Sequence, residues 1–447
     1  MRRVRIGAGA GFQGDRIDPA VDLATRGALD FLVFECLAER TIALAQQNRR
    51  KDPSAGFDPL LERRMRAVLP TCAQNGTRIV TNMGAANPLA AACLVQRIAR
   101  ELGLSVKIAA VTGDDVLDRI GPHLLEETAA PASALGQNLI SANAYIGCRA
   151  IVSALDAGAD VVICGRASDP ALFLGPLVHS FGWHMDDWTR LGRGTLVGHL
   201  LECAAQITGG YFADPGVKCV PDLAHVGFPL AEVAPDGNAV ITKLPGTGGL
   251  VSRSTCTEQL LYEIHDPERY FQPDVIADFS RVTLEEIGPD RVAVSGASGK
   301  PATGAIKVSV GYHDGWLGEG QISYAGANCV ARGRLALDLI HARLADCGTG
   351  ILEDRGDLIG IDATCRRASL PLPALADIRV RYAARCRDEA TARRIGEEIE
   401  ALYLCGPAGG GGVFKTVREI VGVASAFISA EHVTVTHEIL EDQHEAA

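Results

Sequence analysis

The sequence predicts an α/β protein with two domains: an N-terminal domain built on an open, doubly wound parallel sheet rather than a barrel, and a C-terminal α+β domain. Short apolar runs repeatedly end in Gly, Asn, Asp or Arg and are followed by an amphipathic stretch, which is typical of parallel strands alternating with helices. A chain of 447 residues also exceeds one ordinary core. The alternation stops after Tyr211, where short β-like runs begin, and we place the domains at 1–215 and 216–447.

The N-terminal elements follow from this pattern in chain order. The predicted strands are Val4–Ile6, Leu29–Phe34, Ile79–Val80, Val106–Val111, Ile140–Ile146 and Val161–Ile163. The predicted helices are Pro19–Arg26, Leu37–Gln47, Asp58–Gln74, Pro88–Leu102, Asp115–Glu127, Arg149–Ala157, Pro170–Phe181 and Thr195–Ile207. Asp18, Asn87 and Asp169 each stand before a proline, and we expect each of them to cap the helix that follows.

The C-terminal elements are shorter and less regular. The predicted strands are Ala239–Thr242, Arg291–Val294, Ile306–Val310, Ile378–Ala383 and Val433–His437. The predicted helices are Arg332–Leu344 and Glu389–Tyr403. Because strands and turns dominate and the helices are few, this half is predicted to be an α+β domain.

Composition excludes several classes of protein. A net charge of −11, with basic residues spread along the chain, disfavours nucleic acid and an anionic membrane as partners. The 13 cysteines include no C-x-x-C pair, so we expect buried free thiols in a reducing compartment. The sequence shows no apolar segment of secretory or membrane-spanning length, and we expect a cytoplasmic protein. A homodimer or larger homo-oligomer is the default assembly for such an enzyme.

The strand ends carry the candidate catalytic residues. Because the carboxyl ends of parallel strands share one edge of a sheet, clusters far apart in sequence are expected to meet around a single pocket. We predict Asp15 or Glu35 as the general base and Asp114 as the acid. Asp114 and Asp115 are also candidate ligands for a divalent cation such as Mg²⁺. Alternatively, Asp115 caps the following helix and Asp114 is solvated.

Polar residues at the same edge are candidates for substrate binding. Arg166 can pair with a substrate carboxylate, or it orders its own loop by bridging to Asp169. Asn82 is not needed to cap the next helix, which favours a role for it in the site. The other substrate-binding candidates at these strand ends are Gly11, Arg16, Asn143, Tyr145 and Asp169.

A glycine-rich turn follows the first strand. Gly9–Gly14 matches the dinucleotide fingerprint G-x-G-x-x-G, and Glu35 ends the next strand, where a ribose-binding acid would lie, so NAD(P) is an alternative cofactor. Against it, the next helix begins only at Pro19, and Asp15 and Asp18 would repel a pyrophosphate. The other interpretations are a loop that closes over a different ligand and a tight turn with an internal ion pair.

A second glycine-rich turn follows a strand of the C-terminal domain. Lys243 precedes Gly246, Thr247 and Gly248, and a lysine beside exposed backbone N–H groups suits the binding of an anionic group. We therefore predict that this loop binds the anionic tail of a substrate. A flexible turn is the alternative.

Other catalytic motifs are incomplete or missing from the sequence. There is no G-x-S-x-G and no H-E-x-x-H, and Ser295–Lys300 lacks the first glycine of a P-loop. His199 and Glu202 have the spacing of metal ligands on a helix, but two ligands are too few for a site, and we expect a structural histidine. Covalent serine hydrolysis and P-loop chemistry are therefore disfavoured.

Longer segments of the chain match a known family. They are Val4–Arg16, Phe34–Thr41, Thr81–Pro88, Thr112–Asp115, Gly165–Pro170, Thr208–Pro215, Pro245–Gly249 and Gly406–Gly410. These segments resemble the acyclic terpene utilisation family of the AtuA type, and the resemblance covers nearly the whole chain. It implies a bacterial catabolic protein for acyclic terpenoids such as citronellol and geraniol, whose breakdown runs through CoA thioesters. It also implies a small partner protein, since some relatives carry an additional small C-terminal domain.

Three functions remain open at this point. A lyase or hydratase acting on a carboxylated or hydroxylated branched acyl substrate, as its CoA thioester, is favoured because acids and amides occupy the strand ends and no nucleophile motif is present. One alternative is an NAD(P)-dependent oxidoreductase that uses Gly9–Gly14. The other is a non-catalytic ligand-binding or scaffold subunit that works with a partner enzyme.

Overall fold

The computed structural model describes residues 3–345, 350–364 and 376–440. Its strands are β1 (Val4–Ala10), β2 (Phe31–Phe34), β3 (Arg78–Thr81), β4 (Ile108–Thr112), β5 (Leu139–Ala144), β6 (Val161–Cys164), β7 (Pro229–Val233), β8 (Ala239–Lys243), β9 (Tyr270–Phe271), β10 (Ile276–Asp278), β11 (Thr283–Gly288), β12 (Arg291–Ser295), β13 (Ser298–Lys300), β14 (Ala305–Ala325), β15 (Ile351–Ile359), β16 (Asp377–Cys386), β17 (Gly411–Ser429) and β18 (Thr436–Ile439). Its helices are α1 (Asp18–Arg26), α2 (Glu39–Lys51), α3 (Leu61–Asn75), α4 (Pro88–Glu101), α5 (Arg149–Asp156), α6 (Ala171–Phe181), α7 (Trp188–Leu201), α8 (Arg253–Leu261), α9 (Cys329–Ala345) and α10 (Glu389–Cys405). Among these helices, none has the length and apolar character that crossing a membrane requires.

One large mixed sheet organises the first part of the chain. Its strand order in the described residues is β11-β12-β8-β7-β1-β2-β3-β6-β4-β18. The central strands β1, β2, β3, β6 and β4 run parallel. Antiparallel strands extend both edges, β7, β8, β12 and β11 beyond β1, and β18 beyond β4. Over the described residues the sheet does not close into a barrel, so the predicted open α/β sheet is confirmed, although it is mixed rather than purely parallel.

The order of the parallel strands determines where their connections run. The chain advances from β1 to β2, β3 and β4 through α1, α3 and α4, and it returns from β4 to β6 through α5. Right-handed connections that run in opposite directions place their helices on opposite faces of the sheet. The chain leaves β3 through α4, which packs against β4 and β6, whereas it leaves β6 through α6, which contacts β1, β2 and β3, so these two connections diverge. Such a divergence opens a crevice at the carboxyl ends of the two strands, where open α/β sheets bind ligands.

The chain forms two compact units that do not coincide with the predicted domains. One lies within Met1–Gly311 and Val423–Ala447, and the other within Tyr312–Gly422. In the second unit, β16 pairs antiparallel with β14 and β15, and α9 and α10 pack on β16. The predicted boundary between residues 215 and 216 differs from this division because β7 and β8 add to the sheet edge at β1 by backbone hydrogen bonds.

Two predicted helices differ from the structure. The residues of the predicted helix Asp115–Glu127 form turns instead, because Gly121-Pro122 interrupts the segment and Asp115 forms an isolated bridge to Asn143. The predicted helix Thr195–Ile207 corresponds to α7, which begins earlier and ends at Leu201.

The predicted caps are confirmed for one helix of three. The Asn87 side chain accepts a hydrogen bond from Ala90 N, at 3.4 Å, and caps α4. Asp18 is instead the first residue of α1 and pairs with Arg16, and the residue before α6 is Pro170 rather than Asp169. In both cases a nearby arginine binds the aspartate in place of the helix N-terminus.

A buried arginine on α3 holds the loops at the carboxyl edge together. Arg64 is fully buried, and its Nη2 donates to the carbonyl oxygens of Phe12, Gln13 and Asp15 at 2.9–3.3 Å. Its Nη1 contacts Asp58 Oδ2 at 3.4 Å. Burial raises the pKa of Asp58 to about 6, although a backbone hydrogen bond and Arg64 oppose that rise. Arg64 therefore fixes the glycine-rich loop after β1 on the side of the sheet that carries α3.

We expect the substitution Arg64→Met to lower the free energy of unfolding by about 3 kcal/mol or more, because Asp58 and three carbonyl groups would then be buried without their partner. Urea-induced unfolding measures this change. Arg63→Met is the matched control, since Arg63 is exposed on the same helix and its loss should cost less than about 0.5 kcal/mol. Equal effects of the two substitutions would contradict the assigned role of Arg64.

Candidate functional site

The ends of β2, β3, β6 and β4 carry the polar groups of the site. The paired positions Phe34–Thr81, Thr81–Ile163 and Val111–Cys164 bring these strand ends to one level of the sheet. The side chains that follow meet as predicted for Glu35, Asn82, Asp114, Asn143, Tyr145, Arg166 and Asp169. They lie at the carboxyl ends of the central strands, where Glu35, Asn82, Asp114, Asn143 and Arg166 are buried.

Glu35 is a buried carboxyl group with a defined orientation. Its Oε1 accepts hydrogen bonds from Leu37 N at 2.8 Å and from Asn82 Nδ2 at 2.9 Å. Burial, and next the charge of Asp169, raise the pKa of Glu35 to about 8, while these hydrogen bonds and Arg166 oppose the rise. Because both donors face Oε1, the proton of the neutral acid belongs on Oε2.

Arg166 is the buried cation of the site. Only 1% of the residue is exposed, its Nη1 lies 3.1 Å from Asp169 Oδ1 and donates to Leu37 O, and its guanidinium stacks 3.9 Å from the Tyr145 ring centre. Burial by itself would lower the pKa of Arg166. The acidic groups around it outweigh this effect and raise the pKa above its ordinary value. Among the described residues, its Nε has no hydrogen-bond partner. The interpretation of Arg166–Asp169 as a loop-ordering bridge is therefore satisfied, and one donor remains unused.

Asp114 and Asp115 do not act together. Asp114 is buried, and its Oδ2 accepts from Arg166 N at 2.9 Å and from Asn143 Nδ2 at 2.8 Å. Burial raises the pKa of Asp114 to about 6, against these hydrogen bonds. Asp115 is exposed and contacts Gln46. In the described residues no group of three or more ligand-type side chains could hold a metal ion, so Asp114 and Asp115 gain no third ligand for the cation we considered.

The tyrosine of the site belongs to a polar group that the sequence analysis missed. Tyr145 donates its hydroxyl hydrogen to Glu39 Oε1, and Lys307 Nζ lies 3.2 Å from the same oxygen. Burial raises the pKa of Glu39, but Tyr145, Arg166 and Lys307 outweigh it and lower the pKa to about 2. Glu39 starts α2 and is therefore near Glu35 in sequence, whereas no local signal connects Lys307 to this edge.

The two buried arginines, Arg64 and Arg166, differ in how far the sequence indicates their burial. Arg64 falls in phase with the apolar stripe Leu61, Met65 and Val68 of α3, and that phase was a usable signal of its burial. Arg166 was found because it follows a strand. Arg64 lies within a helix rather than at the end of a strand, and it was therefore not predicted.

The predicted base Asp15 and its neighbours lie in a separate loop. Asp15 Oδ2 accepts from Gly11 N at 2.9 Å, and burial raises the pKa of Asp15. Arg16 is exposed and pairs with Asp18. Asp15 and Arg16 line a surface pocket with Leu60, so the structure brings them to one another but shows no contact between them and Arg166. Of the two candidate bases, Glu35 is the one beside the cation.

The glycines of the fingerprint are packed against protein atoms. A Cβ on Gly9 would lie 2.6 Å from the Phe34 ring, and a Cβ on Gly11 would lie 2.4 Å from the carbonyl carbon of Cys203. In a dinucleotide site this space belongs to the pyrophosphate. The glycines are therefore explained by close packing of the loop, and they give no support to NAD(P).

The loop at Lys243 is held together internally. Lys243 Nζ donates to Thr247 O at 2.8 Å and lies 3.2 Å from Asp290 Oδ2, and its side chain is 4% exposed. Gly246 has a φ of +78°, and a Cβ on Gly248 would meet the carbonyl oxygen of Asp222. The structure thus gives these residues a role in shaping the turn, and the predicted anion site remains a prediction.

A histidine and a glutamate extend the site toward α8. His199 Nδ1 lies 2.9 Å from Glu202 Oε1, and His199 Nε2 lies 3.3 Å from Leu260 O. Leu260 and Phe279, whose ring stacks on His199, also line a mostly apolar pocket of about 430 Å³. Burial lowers the pKa of His199 to about 4. The histidine is structurally satisfied, as predicted, but its partner Glu202 is not, since Oε2 has no hydrogen-bond partner.

Comparison with known proteins gives one family match. Residues 4–439 match the family model described as acyclic terpene utilisation family protein AtuA. No curated protein and no solved structure is significantly similar to the chain. The family match agrees with the resemblance read from the sequence and spans both compact units.

Glu35 should make the stability of the protein fall as the pH rises. Its folded pKa of about 8 lies above the ordinary value of 4.5, so the native state binds more protons than the unfolded chain between these pH values. Its contribution is full below about pH 4.5 and is lost as the pH approaches 8. We expect Glu35→Gln to be more stable, relative to the wild type, at pH 8 than at pH 5, as measured by urea-induced unfolding at both values.

Glu126→Gln is the control for this measurement, because Glu126 is exposed and lies outside the site. Its difference from the wild type should be the same at both pH values. The role of Glu35 would be disproved by an equally constant difference for Glu35→Gln.

NADH and NADPH should leave the thermal unfolding midpoint unchanged, because the backbone of Cys203 occupies the space beside Gly11 that a pyrophosphate needs. A ligand that binds the native state raises the midpoint with its concentration. A saturable increase with either nucleotide would restore the oxidoreductase hypothesis.

Proposed function

Since the chain belongs to the acyclic terpene utilisation family of the AtuA type, we propose that it is a catabolic enzyme with lyase or hydro-lyase chemistry on a carboxylated or hydroxylated branched acyl substrate. One observation carries this proposal: two carboxyl groups, Glu35 and Asp169, flank a single buried arginine. Arg166 contacts Asp169 directly and donates to the carbonyl oxygen of Leu37, whose N–H group donates to Glu35 Oε1.

The environments of the two carboxyl groups support different protonation states. Burial raises the pKa of Asp169, but the direct contact with Arg166 opposes this rise and favours the charged form of the carboxyl group. Glu35 is 8% exposed, makes no such contact with the cation, and has a pKa of about 8. Two carboxyl groups whose environments favour different protonation states can supply one base and one acid at neutral pH. The sequence analysis predicted Glu35 as base; its environment favours the acid.

These roles define a dehydration. Asp169 accepts the proton from the carbon next to the acyl carbonyl, and the electron pair of that bond forms the new carbon–carbon double bond. The bond from the neighbouring carbon to its hydroxyl oxygen breaks, and Glu35 gives its proton to this oxygen, which leaves as water. Arg166, with its unpartnered Nε, stabilises the negative charge that develops on the carbonyl oxygen. The reverse sequence adds water to the double bond.

The nature of the substrate rests on two arguments. The pocket beside His199 is lined by Leu260, Ile264 and Phe279, with Asp266 and Glu268 also in its wall, and its apolar part suits a branched hydrocarbon chain. The thioester form comes from the family resemblance, because Lys243 already contacts Asp290 and Thr247 and offers no separate argument for a CoA group. We therefore propose branched 3-hydroxyacyl thioesters as substrates for the dehydration.

We expect Glu35→Gln and Asp169→Asn each to lower kcat/KM for dehydration by about 100-fold or more, because each removes a proton-transfer group. The assay follows the absorbance of the enoyl thioester formed from CoA thioesters of the hydroxylated acids related to citronellol and geraniol. In the wild type, kcat/KM should fall as the pH rises above about 8, because Glu35 then loses the proton it must donate.

Glu62→Gln on the exposed face of α3 is the control and should retain full activity. The proposed roles fail if the two site variants keep wild-type turnover. Tight binding of the thioesters without turnover by the wild type would instead identify a non-catalytic ligand-binding subunit.

A further inference from the structure

The pair His199 and Glu202 lies in the same buried region, and the proposed reaction does not use it. His199 is 1% exposed and Glu202 is 7% exposed. The imidazole is fixed at both nitrogens, by Glu202 Oε1 at 2.9 Å and by the carbonyl oxygen of Leu260 at 3.3 Å. Gln259 supports the same helix, because its Nε2 donates to the carbonyl oxygen of His199 at 2.9 Å.

The hydrogen-bond partners determine where the protons lie. A carbonyl oxygen can only accept, so Leu260 requires a hydrogen on His199 Nε2. In a neutral imidazole Nδ1 is then an acceptor, and the hydrogen in the second contact must come from Glu202 Oε1. Glu202 is thus a neutral acid whose hydroxyl oxygen faces His199 and whose carbonyl oxygen, Oε2, faces elsewhere.

The charges around this pair favour the neutral form. Burial first, and then the negative charges of Asp169 and Glu263, raise the pKa of Glu202 well above its ordinary value, and Arg166 is the opposing charge. Burial lowers the pKa of His199 to about 4, against the contacts with Leu260 and Gln259 and the charges of Asp169 and Glu263. Tyr270 also packs against the imidazole.

Two oxygens beside this pair have no donor. Within the part of the chain that the structure describes, Glu202 Oε2 and Gln259 Oε1 are buried without a hydrogen-bond partner. A buried acceptor without a donor destabilises the native state, and a bound group that supplies the donor is one explanation for such an atom. Because Gln259 and the neutral form of Glu202 carry no charge, a neutral donor such as a hydroxyl satisfies these oxygens without leaving a buried charge uncompensated.

We propose that Glu202 Oε2 and Gln259 Oε1 form a subsite that accepts a hydrogen bond from a hydroxyl group of the substrate. The inference rests on the proposed function in one respect, since it gives the hydroxylated acyl substrate of that site a specific contact. Glu202 and Gln259 bind and orient this hydroxyl, and His199 is a positioning residue that keeps Glu202 Oε2 turned toward it.

The test compares binding of two CoA thioesters of the same branched acid, one with a 3-hydroxyl group and one without it, by titration calorimetry. Asp169→Asn is used as the background, so that no turnover occurs during the titration. We expect the hydroxylated thioester to bind about tenfold more tightly, because the deoxy analogue leaves the acceptors unpaired.

Two substitutions then examine Glu202. Gln reproduces a neutral acid, since its NH₂ group can donate to His199 Nδ1 and its oxygen remains an acceptor, so Glu202→Gln should keep the tenfold preference. Glu202→Leu removes both groups, and the preference should fall to about one. Equal binding of the two thioesters in the background protein, as expected for a buried water only, would overturn the inference, and so would an equal loss of preference in both variants.

A spectroscopic measurement keeps the inference testable if Glu202→Leu does not fold. The infrared spectrum of the wild type at pH 7 should contain a protonated-carboxyl band that Glu202→Gln lacks and Glu35→Gln retains. Failure to find this band would overturn the neutral state of Glu202. The binding preference does not depend on turnover, so loss of the dehydration proposal and loss of this subsite would be observed separately.

Discussion

The burial of Arg166 is the constraint on which the site depends. A guanidinium inside the protein is costly unless opposite charges and hydrogen-bond acceptors surround it. Asp169 supplies the direct contact, the Leu37 carbonyl accepts from Nη1, and the Tyr145 ring covers one face. Because Asp169 already forms an ion pair with Arg166, Glu35 has no direct contact with that cation. Arg166 therefore favours the charged form of Asp169 more strongly than that of Glu35, and the proposed acid–base roles depend on this difference.

Arg64 is a second buried arginine near the strand ends, and it too is compensated by a carboxyl group and by backbone carbonyl oxygens. It binds Asp58 and the carbonyl groups of the glycine-rich loop, so the loop is held by the interior of the protein. Gly11 permits the loop to pack on Cys203, the residue that follows Glu202. The glycines of a pattern typical of nucleotide binding therefore allow the loop after β1 to pack against the C-terminal end of α7, where His199 and Glu202 lie.

The two proposals depend on polar atoms that the protein leaves unpaired. Arg166 Nε is a donor without an acceptor, whereas Glu202 Oε2 and Gln259 Oε1 are acceptors without a donor. A hydroxylated acyl group contains both complements, a carbonyl oxygen for the arginine and a hydroxyl hydrogen for the two acceptors. The pocket lined by Leu260 and Phe279 adds an apolar surface beside them. The proposed site and the proposed subsite therefore suit the same ligand, a hydroxylated branched acyl group.

The sequence by itself determined the parallel strands and the residues at their ends, because alternating apolar runs and strand-terminating polar residues are local properties of the chain. Glu35, Asn82 and Arg166 were found in this way. Tertiary structure alone decided that β6 lies between β3 and β4 and that β7 extends the sheet at β1. It also decided that Asp169 rather than Asp15 contacts Arg166. Strand order and charge pairing join residues far apart in the chain, and they follow from the packing of the whole sheet, which no local pattern encodes.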